Sequence, residues 1–381
     1  MSAPPLCNII CPQCEANVNV PALQNKQRAV CPRCGYTLSI YHRNDMPASL
    51  ALSLSAMIFL VLSLPFNFLS FRANGQQNSI DLPGGLNVLV EQDYVTLAVI
   101  TGMATLVLPG LVLTGLIILL SCRLLTTPSP WMKTLLRWVE WLMPWSMAEI
   151  FLLGTLVSLI KITSLADIAI GLSFYAFVLF SVCMSAALFY FDDTRLKLWL
   201  HNGELPQVTP LTPHVASLSI QRTWALLFTA LILYIPANAL PIMSTELFGS
   251  SEPNTIMGGV ISLWESGSYP VAMVIFVASI VIPVAKLVVL ARLTYAVQFK
   301  ELTNPGRQIR YYRFIEFIGR WSMIDVFVVA ILVALIQLGS TLAIHPGPAA
   351  LAFCALVFIT MLAAMTFDSR LIWQQRKDSD L

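Results

Sequence analysis

Four stretches of this chain carry no charged side chain from end to end: residues 46–71, 94–122, 168–191 and 223–245. Each exceeds the about 20 apolar residues that an α-helix needs to cross a hydrocarbon core about 30 Å thick. Soluble domains carry about 25% charged residues. This chain carries 11%, with 57% hydrophobic residues, so a water-soluble fold and disorder are both excluded. A net charge of +2 offers no polyelectrolyte surface, which argues against nucleic acid as a partner. The chain reads as an all-α polytopic membrane protein.

Three further spans need a charge inside them. Residues 141–160 contain Glu149, residues 269–291 contain Lys286, and residues 321–342 contain Asp325. His345-Pro346-Gly347-Pro348 breaks the next apolar run and leaves residues 350–367 as the last span, which makes eight. Of the 22 basic residues, all but Arg72, Lys161 and Lys286 fall on one set of ends and loops, and that set includes both termini. The bias of Lys and Arg toward cytoplasmic segments therefore predicts cytoplasmic N- and C-termini. Residues 1–45 contain no apolar run of the kind a signal peptide needs.

The two halves repeat at an offset near 175. Arg137-Trp138-Val139-Glu140 reads against Arg313-Phe314-Ile315-Glu316, and Trp145-Ser146-Met147 against Trp321-Ser322-Met323. Glu149 falls on Asp325, Pro109 on Pro283, and Phe191-Asp192 on Phe367-Asp368. Four spans per half is an even number, so the repeats are parallel. The predicted organisation is a ribbon and juxtamembrane segment at 1–45, a first four-helix repeat at 46–200 and a linker at 201–221. A second repeat at 222–373 and a tail at 374–381 complete it. Residues 68–81 alternate around Asn74-Gly75, which predicts a short β-hairpin in the first outer loop, with a counterpart at 244–254.

Cys11-Pro12-Gln13-Cys14 and Cys31-Pro32-Arg33-Cys34-Gly35 form two CxxC knuckles. That spacing closes a tetrahedral thiolate site and predicts one structural Zn2+, since four protein ligands leave no open position for catalysis. A redox dithiol is the competing reading. Cys7 stands close enough to compete as a thiol, and His42 reads as a juxtamembrane surface residue.

Ionisable groups inside spans are costly and mark function by default. From the helical rise, Lys286, Asp325 and Thr360 lie roughly 8–12 Å inside the cytoplasmic boundary. Ser279 is seven residues from Lys286 and Ser322 one turn before Asp325, so the second half gathers a base, an acid and hydroxyls at similar depth. Snorkelling of Lys286, and an answer from Asp325 to Arg320, are the structural alternatives. In the first half, Lys161 and Asp167 bracket an outer turn. Pro65 with Asn67, and Pro236 with Asn238, break the outer ends of the first spans, while Pro109 and Pro283 break the second spans. Broken helices at matching positions predict a cavity or a hinge in each half, with ordinary kinks as the alternative. Trp141, Trp145 and Trp321 fit interfacial belts.

The four-cysteine ribbon, the twofold repeat, Pro236-Ala237-Asn238, Leu263-Trp264-Glu265-Ser266-Gly267 and Arg320-Trp321-Ser322-Met323 together resemble the paraquat-inducible protein A family. The resemblance covers nearly the whole chain. It implies a Gram-negative inner-membrane protein that works with a periplasmic MCE-domain partner and moves phospholipids between the two membranes. Many members carry a second ribbon before the second half, whereas residues 201–221 here contain no cysteine. No Walker A, GxSxG or paired-His motif is present, so an enzyme is not expected. Two other readings compete with transport: a non-transporting anchor or assembly subunit for the MCE protein, and a thiol-redox stress protein.

Overall fold

The computed structural model describes residues 6–41, 44–73, 76–162, 167–201, 211–247, 250–299, 304–335 and 342–373. The N-terminal ribbon is two antiparallel hairpins, β1 (Leu6–Ile10) with β2 (Asn17–Val20) and β3 (Arg28–Val30) with β4 (Thr37–Ile40). One CxxC knuckle fills each hairpin turn. Strands this short bury few side chains: Ile9, Val20, Leu23 and Leu38 pack around the four cysteines.

Helix α1 (Asp45–Leu62) follows, then β5 (Asn67–Ala73), β6 (Gln76–Asp81) and the short helix α2 (Leu82–Glu91). Helix α3 (Val95–Gly102) runs through one turn of π-helix, Met103–Val107, into α4 (Leu108–Leu125). Pro109 causes the break, because it has no N–H for the carbonyl of Thr105. Helix α5 (Pro130–Leu142) ends in a 3-10 turn, Met143–Trp145, before α6 (Ala148–Ile162). β7 (Asp167–Ile170), α7 (Leu172–Tyr190) and α8 (Asp193–Leu200) close the first half.

The second half runs through α9 (Pro213–Ala239), β8 (Met243–Leu247), β9 (Ser250–Asn254), α10 (Ile256–Glu265) and α11 (Tyr269–Phe276). A second π-turn, Val277–Val281, precedes Pro283 in α12 (Ile282–Gln298). Then come α13 (Pro305–Gly319), a 3-10 turn at Arg320–Met323, α14 (Ile324–Leu335), β10 (Leu342–Pro346) and α15 (Pro348–Thr366). Apart from α8, which has no counterpart element among the described residues, the order matches that of the first half, down to sheets ordered β6-β5-β7 and β9-β8-β10.

Among the described residues, seven helical stretches are long and apolar enough to cross a membrane. The chain is a multi-pass membrane protein. In the segment predicted as a further span, residues 321–342, helix α14 is described as far as Leu335, and residues 336–341 lie outside the described set. Helix α9 begins at Pro213, inside the segment read as a linker. The local signal is a strong one: Thr212 caps it, its Oγ1 accepting from Val215 N, and proline occupies the first helical position.

Small residues let the helices approach. Ser49 Oγ donates to Ala187 O at 3.0 Å between α1 and α7, and Ser219 Oγ to Thr366 O at 2.8 Å between α9 and α15. The two halves meet where α6 crosses α14: Gly154 lies against Phe327, whose ring is 5.6 Å from that of Phe151. Trp145 packs across the halves, its ring 4.7 Å from that of Phe358. Trp138 and Trp141 of α5 and Phe314 and Phe317 of α13 are exposed at matching positions. Charged residues share those faces, the composition of helices lying at a membrane surface.

Gly171 and Gly347 open α7 and α15 where each leaves its sheet. A Cβ at Gly171 would overlap Asn67 O, and one at Gly347 would overlap Pro241 O. Backbone cannot step aside as a side-chain tip can. Gly171→Ala and Gly347→Ala are therefore expected to cost about 1–3 kcal/mol each, the usual scale of overpacking. Thermal unfolding of the purified chain reads this, with Gly259→Ala, where nothing lies within 4 Å, as the neutral control.

Candidate functional site

The cysteine site is built by two turns of the same design. Cys11 N donates to Ala16 O and Glu15 N to Cys11 O, while Cys31 N donates to Tyr36 O and Gly35 N to Cys31 O. Gly35 takes a φ of +70° and Glu15 a φ of +55° to close these turns. The four Sγ atoms are buried and lie within 4.8 Å of one another, with 3.6 Å from Cys11 to Cys34 and 3.5 Å from Cys14 to Cys31. A tetrahedron with metal–sulfur bonds of about 2.3 Å has edges of about 3.8 Å. Cys11, Cys14, Cys31 and Cys34 therefore fit a single metal ion. Burial pushes the Cys11 thiol up to about 11, against backbone N–H groups of Gln13 and Cys14 that pull it down. At Cys31 burial also works upward, but the N–H groups of Cys34 and Arg33 and the neighbouring thiols outweigh it and hold the thiol low. Amides aimed at sulfur favour thiolate, the form that binds a cation. The side chain of Cys7 and all of His42 lie outside the described residues.

The ribbon does not stand alone. Ser39 Oγ donates to Asp192 Oδ2 at 2.5 Å and Thr194 Oγ1 to Leu38 O at 2.6 Å, tying it to the first half. Arg313 Nε donates to Gln13 Oε1 at 2.7 Å, Arg370 pairs with Glu15 at 3.3 Å, and the Arg33 guanidinium sits 4.8 Å above the Trp373 ring. These last contacts tie it to the second half. The ribbon clasps both.

A cavity of about 550 Å³ opens beside it, walled by Glu140, Met143 and Pro144 of the first half and by α12, α13 and α15 of the second. Lys286 lines it and is fully buried. Its Nζ donates to Thr360 Oγ1 at 2.8 Å and to Gly319 O at 3.4 Å, and Thr360 in turn donates to Val357 O at 2.9 Å. A Cβ at Gly319 would sit 3.4 Å from Lys286 Cε, in ordinary van der Waals contact with the lysine stem. An ammonium has three donors and no acceptor. Held this deep, it presents a positive charge to a cavity that both halves enclose. Near the mouth, Lys197 bridges Glu140 at 2.9 Å and Asp193 at 2.7 Å.

The family model described as paraquat-inducible protein A matches residues 46–200 and 220–377. The chain belongs to the paraquat-inducible protein A family. It is 36% identical to the intermembrane transport protein PqiA of Escherichia coli strain K12, over 98% of this chain and 97% of that one. The lipophilic envelope-spanning tunnel protein A of the same organism is 29% identical, over 97% of this chain and 92% of the relative. No solved structure matches the chain.

Within this family member, the residues read from the sequence are placed unevenly. Lys286 and Thr360 meet. Ser322 is buried in the 3-10 turn, its Oγ without a hydrogen-bond partner among the described residues. Asp325 lies in the first turn of α14, and its side chain is outside the described set. Ser279 bonds to Ile275 O at 2.6 Å and lines a separate, largely apolar cavity of about 50 Å³ with Leu263, Ile275 and Val328. Its counterpart Thr105 bonds to Thr101 O at 2.7 Å and lines a cavity of about 50 Å³ between the first half and Ala330 and Ile331 of α14. Ser279 lies inside the π-turn Val277–Val281, which alters its rotation relative to Lys286, so a 3.6-residue wheel misplaces them. Glu149 is exposed on α6 and accepts from Ser185 Oγ. Asn238 Nδ2 is spent within its own helix, donating to Tyr234 O at 2.9 Å. Asn67 pairs with Asp81 in the β6-β5-β7 sheet, and Asp167 opens β7 opposite Arg72. Lys161 lies in the last turn of α6, with its side chain outside the described residues.

Proposed function

We propose that this chain moves phospholipids between membranes, accepting or releasing the headgroup in the cavity beside Lys286. The buried ammonium facing a cavity shared by the two halves carries the reading: membrane interiors keep a charge only where it binds, relays or pairs. The names of the relatives, an intermembrane transport protein and a lipophilic envelope-spanning tunnel protein, point the same way. In this reading the chain is a transporter and no enzyme. It sits in the inner membrane of a Gram-negative cell with both termini in the cytoplasm, as the distribution of Lys and Arg argues. Eight spans form two parallel repeats of four, a reading supported by the matching order of elements in the two halves. The ribbon metal is a structural Zn2+, favoured by four thiolates with no open position.

The outer loops at residues 72–93 and 246–265 would seat a periplasmic MCE-domain tunnel. A photoreactive residue at Met361, on the cavity wall, is expected to capture phospholipid in living membranes, and one at Phe314, outside the cavity, far less. Equal capture at both positions removes the cavity from transport and leaves the chain an anchor. Crosslinkers in the two outer loops should capture the MCE protein. Capture confined to residues 300–313 would contradict that placement.

A further inference from the structure

The first half holds a second polar cavity, remote in sequence from Lys286, at the end of the bundle where basic residues gather. It measures about 230 Å³ and lies among the ends of α1, α4 and α7 and the start of α8. Arg123, from the last turn of α4, and Arg195, from the first turns of α8, line it together with Asp45 and Asp192. The Arg195 guanidinium is fixed over the Tyr41 ring at 4.2 Å, and its Nε lies 3.3 Å from Asp192 Oδ2. Its Nε and Nη2 are nevertheless buried without hydrogen-bond partners among the described residues. Asp192 also accepts from Ser39 Oγ at 2.5 Å and from Arg195 N at 3.1 Å, which fixes its carboxylate on the cavity wall.

Buried donors left open call for an acceptor, and two guanidiniums at a membrane boundary suit a phosphate above other anions. The charges on the lining also select among headgroups. Two arginines and two aspartates balance, so a headgroup with a net negative charge would meet the carboxylates unrelieved. A headgroup that carries phosphate and ammonium together meets both signs. We propose that this cavity binds the phosphoethanolamine headgroup of a membrane phospholipid, its phosphate on Arg123 and Arg195 and its ammonium toward Asp45 and Asp192. Met46, Leu120, Leu124 and Phe191 line the same cavity and give the glycerol and first methylenes an apolar wall, which favours the lipid over its soluble headgroup. Among the described residues, the matching position of the second half is closed. There Arg370 is saturated by Asp368, with bonds of 2.7 to 3.0 Å, and by Glu15 at 3.3 Å. A lipid bound here requires only that the chain sits in a membrane, so the site stands or falls apart from transport.

The test titrates the full-length chain in detergent with dioctanoyl phosphatidylethanolamine, dioctanoyl phosphatidylglycerol and glycerophosphoethanolamine, read by calorimetry. The Lys286→Met chain is run in parallel so that lipid in the other cavity is not counted. The ethanolamine lipid is expected to bind at least about tenfold more tightly than either comparator, the scale of one charge-assisted hydrogen bond. Arg123→Gln and Arg195→Gln should each weaken it by about the same factor, and Asp45→Asn should narrow the gap between the two lipids. Arg195 also holds Tyr41, so its variant risks misfolding; Arg123→Gln keeps the test decisive. Equal binding of the two lipids, binding of glycerophosphoethanolamine as tight as the lipid, or unchanged affinity in Arg123→Gln each overturns the proposal.

Discussion

Cys31→Ser is expected to strip the ribbon of its metal and to lower the amount of protein in the membrane several-fold. Its four strands span three to five residues each, and their apolar core is a handful of side chains around the thiols. Such a unit cannot offset its own chain entropy, and in small metal domains the binding free energy, about 10–16 kcal/mol for structural zinc near pH 7, is the folding free energy. Loss of one thiolate leaves three buried sulfurs and an incomplete tetrahedron. The damage should spread, because the ribbon holds Asp192 and Thr194 of the first half and Arg313, Arg370 and Trp373 of the second. Metal analysis of the purified protein and membrane abundance test this together. Full metal content in Cys31→Ser would mean that the four thiols do not share an ion. A metal-free wild type whose thiols react freely would favour redox chemistry instead.

The ribbon was legible because its chemistry is local: two knuckles define a site whatever lies between them. The same holds for most spans, since a run without charge has nowhere to go but the membrane. What the sequence hid was geometry between elements. The π-turns at Met103–Val107 and Val277–Val281 are invisible to a fixed helical period, and Ser279 and Lys286, seven residues apart, line different cavities. The start of α9 at Pro213 was available in Thr212-Pro213, a capping signal passed over because the segment reads as polar. Trp145 reads as a belt residue, and its packing against Phe358 across the halves is a contact that no local pattern announces.

At the candidate site, burial cost alone singled out Lys286, and helical rise put Thr360 at its depth. The pair meets at 2.8 Å. Gly319 was not foreseen: a glycine at the end of α13 gives no sign that an ammonium approaches its carbonyl. Arg123 and Arg195 were missed for the opposite reason, since each reads as one more basic residue on the positive side. The repeat did hold a clue. Phe191-Asp192 matches Phe367-Asp368, and the arginine beside the second aspartate closes on it, whereas that beside the first keeps open donors.

Lys286→Met is expected to reduce lipid transport by more than about tenfold while the chain remains in the membrane at normal levels. Methionine keeps much of the volume and removes the charge. A lysine retained only for structure gains nothing from its charge, because well-packed neutral residues in place of buried ions are often neutral or stabilising. A lysine that binds a phosphate or passes a proton loses its role outright. Thr360→Val separates the contributions further: it removes the 2.8 Å acceptor but leaves the ammonium and the Gly319 carbonyl, so a smaller loss is expected. Asp325→Asn should also impair transport if that acid serves the same step. The decisive variant is the double exchange Lys286→Met with Asp325→Leu, which leaves neither charge uncompensated. It is expected to fold and to stay inactive. Membrane levels and metal content must match wild type for the result to count, and recovered transport in that chain would reduce Lys286 to a packing device.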